Sequence, residues 1–426
     1  MIRRDFQKLV ARPSDLQRAN ADTMTQSIDG FAFDDQDPGI ALRVEVLQDG
    51  NCVAEGYADK FRTDLLLAEV GNGFHCFEIP LPGTIGENDG VIVRIINEKT
   101  GEFVDESTFP VIREVRPSIV EQLVQSYFRI CKKLEPDEAI RVAHDSNWKH
   151  LLNKKEEYEQ AYGLLADEES RRIFRWFIPF RLISYSLGHA KDNWNPTAWI
   201  RLHTLAPGGP VTPEQWLDRI ESLKVSRHMQ DHLLFSFGHY TLPGLCEVLP
   251  GDCVIDAGAF DGTSSVFLAN KCGEDGTVYA FEPMDRHCNQ IERLKDCFKK
   301  SGIYTVRQGL SNEKNTTRMR ESSQGSHICD TGDVEIRTTP LDAFVKENRI
   351  GKIDFIKVDV EGHELKLLEG AAKTIREMKP RMAVSIYHNN EDIFTLPDYI
   401  RSLCPDYKFY LRHHCFNSCE LVLYCA

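Results

Sequence analysis

The sequence predicts a multidomain α/β chain: an N-terminal β-sandwich, a helical linker or cap, and a C-terminal Rossmann-like domain. Three observations carry this. From about residue 28 to 116 apolar and polar residues alternate in short runs cut by turn residues. From 117 to 243 apolar residues recur at intervals of three and four, and from 244 to 426 strand-like apolar runs alternate with helical stretches. Residues 1–27 stand apart as an N-terminal extension.

In the first region, 42–47 alternates before Asp49-Gly50 and 90–96 before the turn cluster 97–101, the period-two pattern of antiparallel strands in a small sandwich. In the second, Ile119, Leu123, Tyr127 and Ile130 recur at three and four, as do Tyr162, Leu165, Ile173 and Phe177 with their neighbours, the spacing of helices. Asp167-Glu-Glu-Ser170 precedes the apolar run 173–183, and Pro207-Gly-Gly-Pro210 breaks the region in two. Trp194, Trp199 or Tyr240 is expected as an apolar wall where this helical cap shapes a pocket. In the third, strands are expected at 253–256, 278–282, 304–308, 355–359, 382–387, 408–413 and 421–424, the last two as a hairpin.

Composition narrows the function. With 42% apolar and 27% charged residues the chain is globular, and no apolar run reaches the roughly 18 residues of a spanning helix. The start lacks the apolar core of a signal peptide, so a cytoplasmic location is expected. Fifty-one Lys and Arg against 65 Asp and Glu leave a formal charge of -14, the wrong sign for neutralising nucleic-acid phosphates. Thirteen cysteines without a CxxC pair read as reduced, packed thiols, and His413, His414, Cys415, Cys419 and Cys425 have a spacing that fits no common zinc site.

The chemistry concentrates in the third region. Val254-Ile-Asp-Ala-Gly-Ala-Phe-Asp-Gly262 joins a buried strand ending in Asp256 to a hydroxyl-rich helix start through Gly258 and Gly262, with Phe260 and Asp261 between them. Glycines let the backbone approach a nucleotide-type cofactor at the sheet's switch point. Glu282 follows 26 residues after Asp256, at the end of the next strand, where a carboxylate accepts from both ribose hydroxyls. The turn lacks the GxGxxG of a dinucleotide site, and Asp261 would repel a diphosphate while suiting an ammonium and a sulfonium. S-adenosylmethionine is the expected cofactor, and a nicotinamide-dependent oxidoreductase is disfavoured. Two further strand ends deliver Asp359 with Glu361 and His388, expected to converge beside the cofactor if these strands are neighbours.

The set Asp256-Ala-Gly-Ala-Phe-Asp-Gly262, Phe281-Glu-Pro283, Lys357-Val-Asp-Val-Glu-Gly-His-Glu-Leu365 with Glu369-Gly-Ala371, and Tyr387-His388 with Asp392 resembles the FkbM family of S-adenosylmethionine-dependent methyltransferases over about residues 235 to 426. That resemblance implies a class I methyltransferase fold and O-methylation of sugar or polyketide hydroxyls. It puts Asp256, Gly258 and Gly262 on the cofactor loop, Glu282 on the ribose, and Asp359, Glu361 and His388 on the acceptor side. The position of His363 varies in the family, so no role is assigned to it. The amino-terminal part, with Phe31-Ala-Phe-Asp-Asp35, Val44-Glu-Val-Leu-Gln-Asp-Gly50 and Ala58-Asp-Lys-Phe-Arg-Thr-Asp-Leu65, resembles a β-sandwich module attached to bacterial glycosyltransferases and other glycan-building enzymes, which points to a glycan acceptor. The hydroxyl of a small-molecule or glycan acceptor needs His388 or Asp359 as base, or a hard cation such as Mg2+ held by Asp359, Glu361 and His388. The rival from another class is a non-catalytic glycan-binding scaffold that retains the fold. The oligomeric state is left open.

Overall fold

The computed structural model describes residues 2–5, 9–13, 24–34, 40–61, 74–82, 90–100, 102–113, 118–144, 147–188, 196–223, 234–300, 302–320, 327–328 and 331–426. They divide into two compact units, 1–133 and 134–426.

The first unit is β throughout until its final helix. Its strands are β1 Ile2–Asp5, β2 Leu9–Pro13, β3 Met24–Asp34, β4 Arg43–Gln48, β5 Asn51–Tyr57, β6 Lys60–Phe61, β7 Phe74–Leu81, β8 Gly90–Asn97 and β9 Glu102–Arg113. They pair in the order β5-β4-β8-β9-β2-β3-β7-β6, with β1 on β3, and every pairing except β2 with β9 is antiparallel. The buried alternates Val44 and Val46, Val91, Val93 and Ile95, and Phe77, Ile79 and Leu81 share one core. Asp49 and Gly50 both have positive φ, the tight turn that the Asp-Gly pair announces between β4 and β5.

Two boundaries move from their expected places. Strands begin at Ile2, not at 28, because β1 and β2 are too short and too polar to display alternation. The helix Ile119–Cys131 groups with this unit, although its periodicity resembles the helical region that follows; Ser118 and Glu121 close a reciprocal capping box at its start.

The helical segment of the second unit belongs with the C-terminal sheet. Its longest helix, Glu168–Ser186, starts where Asp167 accepts from the Ser170 backbone at 2.7 Å and buries Ile173, Phe174, Phe177, Phe180 and Ile183. The Pro207–Pro210 cluster separates the helices Pro196–Leu205 and Pro213–Leu223, as expected.

The principal sheet contains β10 Cys253–Ala257, β11 Thr277–Phe281, β12 Ile303–Val306, β17 Phe355–Val358, β18 Arg381–Ser385, β19 Phe409–His413 and β20 Leu421–Cys425, all close to their expected bounds. Their order is β12-β11-β10-β17-β18-β20-β19; the first five run parallel, and β20 and β19 form an antiparallel hairpin at the edge. All four residues of β17 are buried, the unbroken pattern of a strand covered on both faces. Ala166 donates to the Phe409 carbonyl at 2.8 Å, and Arg412 pairs with Asp167 at 2.7 Å, so the long helix starts against edge strand β19. Between β12 and β17 lies a small sheet of β13 Gly309–Leu310, β14 Asn315–Arg320, β15 His327–Ile328 and β16 Val334–Thr339. Its Thr- and Arg-rich strands carry too little apolar alternation to be read from sequence.

The chain leaves β10 towards β11 and β12 on one side and returns to β17 on the other. This reversal opens a crevice at the carboxyl ends of β10 and β17, where open α/β sheets bind ligands. Among the described residues no helix is long and apolar enough to cross a membrane.

Candidate active site

The loop after β10 turns through two positions that require glycine. Gly258 has φ 78°, and a Cβ there would lie 1.8 Å from the Asp359 carbonyl oxygen; Gly262 has φ 94° and begins the helix Thr263–Cys272 against the Ile291 backbone. The loops after β10 and β17 therefore touch backbone to backbone, and the helix N-terminus faces the crevice.

Asp256 does not line the crevice as expected. Its carboxylate is fully buried: it accepts from Ser264 Oγ at 2.8 Å and Ser265 Oγ at 2.6 Å and pairs with Lys357 Nζ at 3.1 Å. Lys357, 2% exposed, also donates to the Ala257 and Gly258 carbonyls at 3.2 and 2.7 Å. This buried ion pair shapes the glycine loop from beneath. A lysine inside the apolar run Phe355-Ile-Lys-Val358 was the sequence signal for it.

Glu282 sits at the end of β11, where it was expected. Its carboxylate accepts from the Phe260 and Met284 backbone N–H groups at 3.1 and 2.9 Å and lies 3.3 Å from His287 Nδ1. The cofactor loop and the ribose-binding candidate are thus joined directly. Phe260 is 54% exposed, with its ring edge-on to His287, and Asp261 accepts from the Thr263 backbone at 2.9 Å.

On the other side of the crevice the structure brings together Asp359, Glu361 and His388, as expected, and adds Glu364, Tyr240, His239 and Glu420. Tyr240 donates to Asp359 Oδ2 at 2.6 Å, a polar role in place of the expected apolar wall. His388 Nδ1 lies 2.8 Å from Glu364 Oε1, while its Nε2 lies 3.6 Å from Asp359 Oδ1 and 3.5 Å from Glu361 Oε2. Neither His388 Nε2 nor Asp359 Oδ1 has a hydrogen-bond partner, although both atoms are buried. Glu420, the residue before β20, lies 3.1 Å from His239 Nε2 and accepts from Tyr387 Oη at 3.4 Å. Nothing in the local sequence marked Glu420, because its partners are about 30 to 180 residues away. Tyr240, Phe260, Glu361 and Glu420 all have positive φ, between 48° and 59°.

Protonation follows from these contacts. Burial alone would lower the pKa of His388, but Glu364, Asp359 and Glu361 raise it to about 10, so the ring is a cation at neutral pH. A protonated ring donates from both nitrogens, and its charge stabilises the surrounding acids. Burial would raise Asp359, yet Lys357, His388 and the Tyr240 hydroxyl outweigh it and hold the carboxyl below its usual range. Glu361 is raised, first by burial and then by Asp359, Glu420 and Glu364, although 44% of its side chain is open to solvent. Glu420 is also raised, by burial and by Asp359.

Donor atoms of Asp359, Glu364 and His388 lie within 4.8 Å of one another. They do not fit Mg2+, which demands an octahedral shell of oxygens, because one donor is an imidazole and Glu364 Oε1 already accepts from the Val360 and Gly362 backbone N–H groups. His413 and His414 are engaged with the Asn417 and Phe237 carbonyls, and the cysteines of the described residues are free thiols. His363 contacts Ser311 at 2.9 Å. Trp199 is fully buried against Phe180 and belongs to the helical core, not to a pocket wall; Trp194 lies outside the described residues.

Residues 256–411, which run from β10 into β19, match the family model of the methyltransferase FkbM domain. The chain is 28% identical over 136 residues to the hexuronic acid methyltransferase AglP of Haloferax volcanii, a match covering 31% of this chain and 55% of the relative, about half its length. A solved methyltransferase FkbM from Methylobacillus flagellatus is 21% identical, with a TM-score of 0.47 over 67% of this chain and 62% of that one. Fibrillarin from Aeropyrum pernix, solved with bound S-adenosyl-L-methionine, is 14% identical, with a TM-score of 0.30 over 46% of this chain and 74% of that one.

Proposed function

We propose that the chain transfers the methyl group of S-adenosylmethionine to a hydroxyl oxygen of a sugar-bearing acceptor. The observation that carries this reading is the pairing, across one crevice, of the Gly258–Gly262 loop and Glu282 with the unsatisfied atoms of Asp359 and His388. The FkbM domain match and the hexuronic acid named for the Haloferax relative support it.

S-adenosylmethionine supplies an electrophilic methyl group next to a sulfonium. The glycine loop and the N-terminus of the helix Thr263–Cys272 would hold its amino-acid end, and Glu282 would accept from its ribose hydroxyls. The acceptor oxygen forms a bond to the methyl carbon as the bond from sulfur to that carbon breaks, leaving neutral S-adenosylhomocysteine. The hydroxyl proton must leave. Asp359 Oδ1 accepts it as a hydrogen bond and orients the oxygen, while His388 holds Asp359 ionised. Glu361, whose proton affinity is raised towards neutrality, takes the proton and releases it at its solvent-exposed side.

Isothermal titration with S-adenosylmethionine and S-adenosylhomocysteine tests the cofactor half. Both should bind the wild-type protein, and Glu282→Ala should bind roughly 10-fold to 100-fold more weakly. A folded wild-type chain that binds neither would favour the scaffold alternative. With a methylated acceptor in hand, Glu361→Gln should retain cofactor binding and lose about 100-fold or more in turnover.

A further inference from the structure

We infer that Arg286 and His287 position the carboxylate offered to the cofactor's ribose. Arg286 fixes the His287 imidazole with its proton on Nδ1, and that N–H fills Glu282 Oε1, leaving Oε2 as the oxygen open to the ligand. The inference rests on the methyl-transfer reading above and deepens its cofactor half.

The geometry starts at the end of β11. Glu282 follows that strand, and the helix Asp285–Cys297 begins three residues later, so the chain folds back at once and His287, in the first turn, returns to the carboxylate. Glu282 and His287 are both buried, whereas Arg286 is exposed. His287 Nδ1 lies 3.3 Å from Glu282 Oε1, and Arg286 Nε donates to His287 Nε2 at 3.0 Å. A guanidinium has five donors and no acceptor, so His287 Nε2 must offer a lone pair. With one ring nitrogen accepting, the proton sits on the other. Nδ1 is therefore the donor to Glu282, and the chain of hydrogen bonds runs from Arg286 through His287 to Glu282.

This order decides how Glu282 is used. An ionised carboxylate offers about four lone-pair positions, two on each oxygen. Oε1 receives the Met284 N–H at 2.9 Å as well as the His287 Nδ1–H, so both of its positions are filled. Oε2 receives the Phe260 N–H at 3.1 Å and no other donor among the described residues. The open position therefore lies on the oxygen that the glycine loop already holds. The His287 ring meets the same loop: the Phe260 ring stands edge-on to it, with centroids 4.4 Å apart. One imidazole thus sets the carboxylate and touches the residue that holds its other oxygen. Without the Nδ1–H, Oε1 regains a free position and the carboxylate loses part of the fixed orientation that a binding group needs.

The test uses the full chain, with S-adenosylhomocysteine as the probe. Asn presents its amide N–H near the place of histidine Nδ1, whereas Gln presents it near Nε2, so the two variants separate a donor at Nδ1 from a side chain that only fills space. In calorimetry His287→Gln should bind about tenfold more weakly than wild type, and His287→Asn should recover most of that loss. Thermal unfolding checks that both variants keep the fold. Nitrogen-15 NMR of the histidine-labelled wild-type chain needs no folded His287→Gln protein. His287, assigned by its loss in the His287→Asn spectrum or by its response to Arg286→Met, should carry its proton on Nδ1. In Arg286→Met that proton should redistribute towards Nε2, with affinity falling several-fold. A proton on Nε2 in the wild-type chain, alone or beside one on Nδ1, would overturn the inference, as would equal affinities of the Asn and Gln variants, whether high or low. Either result with wild-type binding intact defeats only the positioning role, whereas a folded wild-type chain that binds no S-adenosylhomocysteine defeats the methyl-transfer reading and this inference with it.

Discussion

The two walls of the crevice are built on different plans. The cofactor wall comes from short neighbouring stretches, 256–264 and 282–287, and its acids are held locally: Asp256 Oδ2 by two hydroxyls and Oδ1 by its ion pair with Lys357, Glu282 by two backbone N–H groups. The acceptor wall is assembled from 239–240, 359–364, 387–388 and 420, and it keeps buried atoms without partners. A pre-formed wall suits one invariant ligand. A wall of mutually perturbed acids stores interaction energy for a ligand that completes it.

The largest effect should come from breaking the cofactor wall from below. Lys357→Met leaves the Asp256 carboxylate buried without a counter-charge and should cost about 3–5 kcal/mol of stability, measured by denaturant unfolding. Adding Asp256→Asn to it should recover part of that loss, and no recovery would mean that the lysine acts through its carbonyl contacts instead.

Gly258→Ala comes next. The Asp359 backbone cannot retreat without disturbing the parallel pairing of β10 and β17, so the loop must reopen. Affinity for S-adenosylhomocysteine should fall by about 100-fold, roughly 2.7 kcal/mol. Near-native affinity in calorimetry would show that the two walls are not braced at this point.

The acceptor wall is probed by Tyr240→Phe, which removes a charged hydrogen bond of about 1.5–3 kcal/mol from Asp359. Turnover should drop by about tenfold with cofactor affinity unchanged, and a matching loss of cofactor affinity would erase the distinction between the walls.

The subtlest probe is pH. A raised histidine pKa stabilises the fold fully below its unfolded value near 6.5, and that contribution is lost as the pH climbs through about 10. The stability gap between wild type and His388→Gln should therefore be widest below pH 6.5 and shrink towards pH 10. A gap that widens with pH would mean that the ring is held neutral.

The same contrast explains what the sequence made legible. Gly258, Gly262 and Glu282 lie in contiguous strand–turn–helix units, so spacing alone located them. Asp359 and His388 were found because each ends a recognisable buried strand. Their protonation was not legible, since it depends on Glu364 and Glu361 folding back across a turn. Asp256 looked like a ligand because its inward partner, Lys357, is 101 residues away. Tyr240 and Glu420 gave no periodic or motif signal at all. The small sheet β13–β16 stayed hidden for a related reason: its strands are polar, and only pairing defines them.

Tyr240, Phe260, Glu361 and Glu420 share the left-handed backbone that glycine adopts freely and other residues adopt at a cost of about 1–2 kcal/mol. Selection for thermal tolerance alone would thus reward glycine at each of these four positions. A laboratory lineage evolved only for heat resistance should drift towards glycine at the crevice and lose its chemistry as it hardens. Retention of these side chains under combined selection would separate working members of this lineage from those that have merely kept the fold.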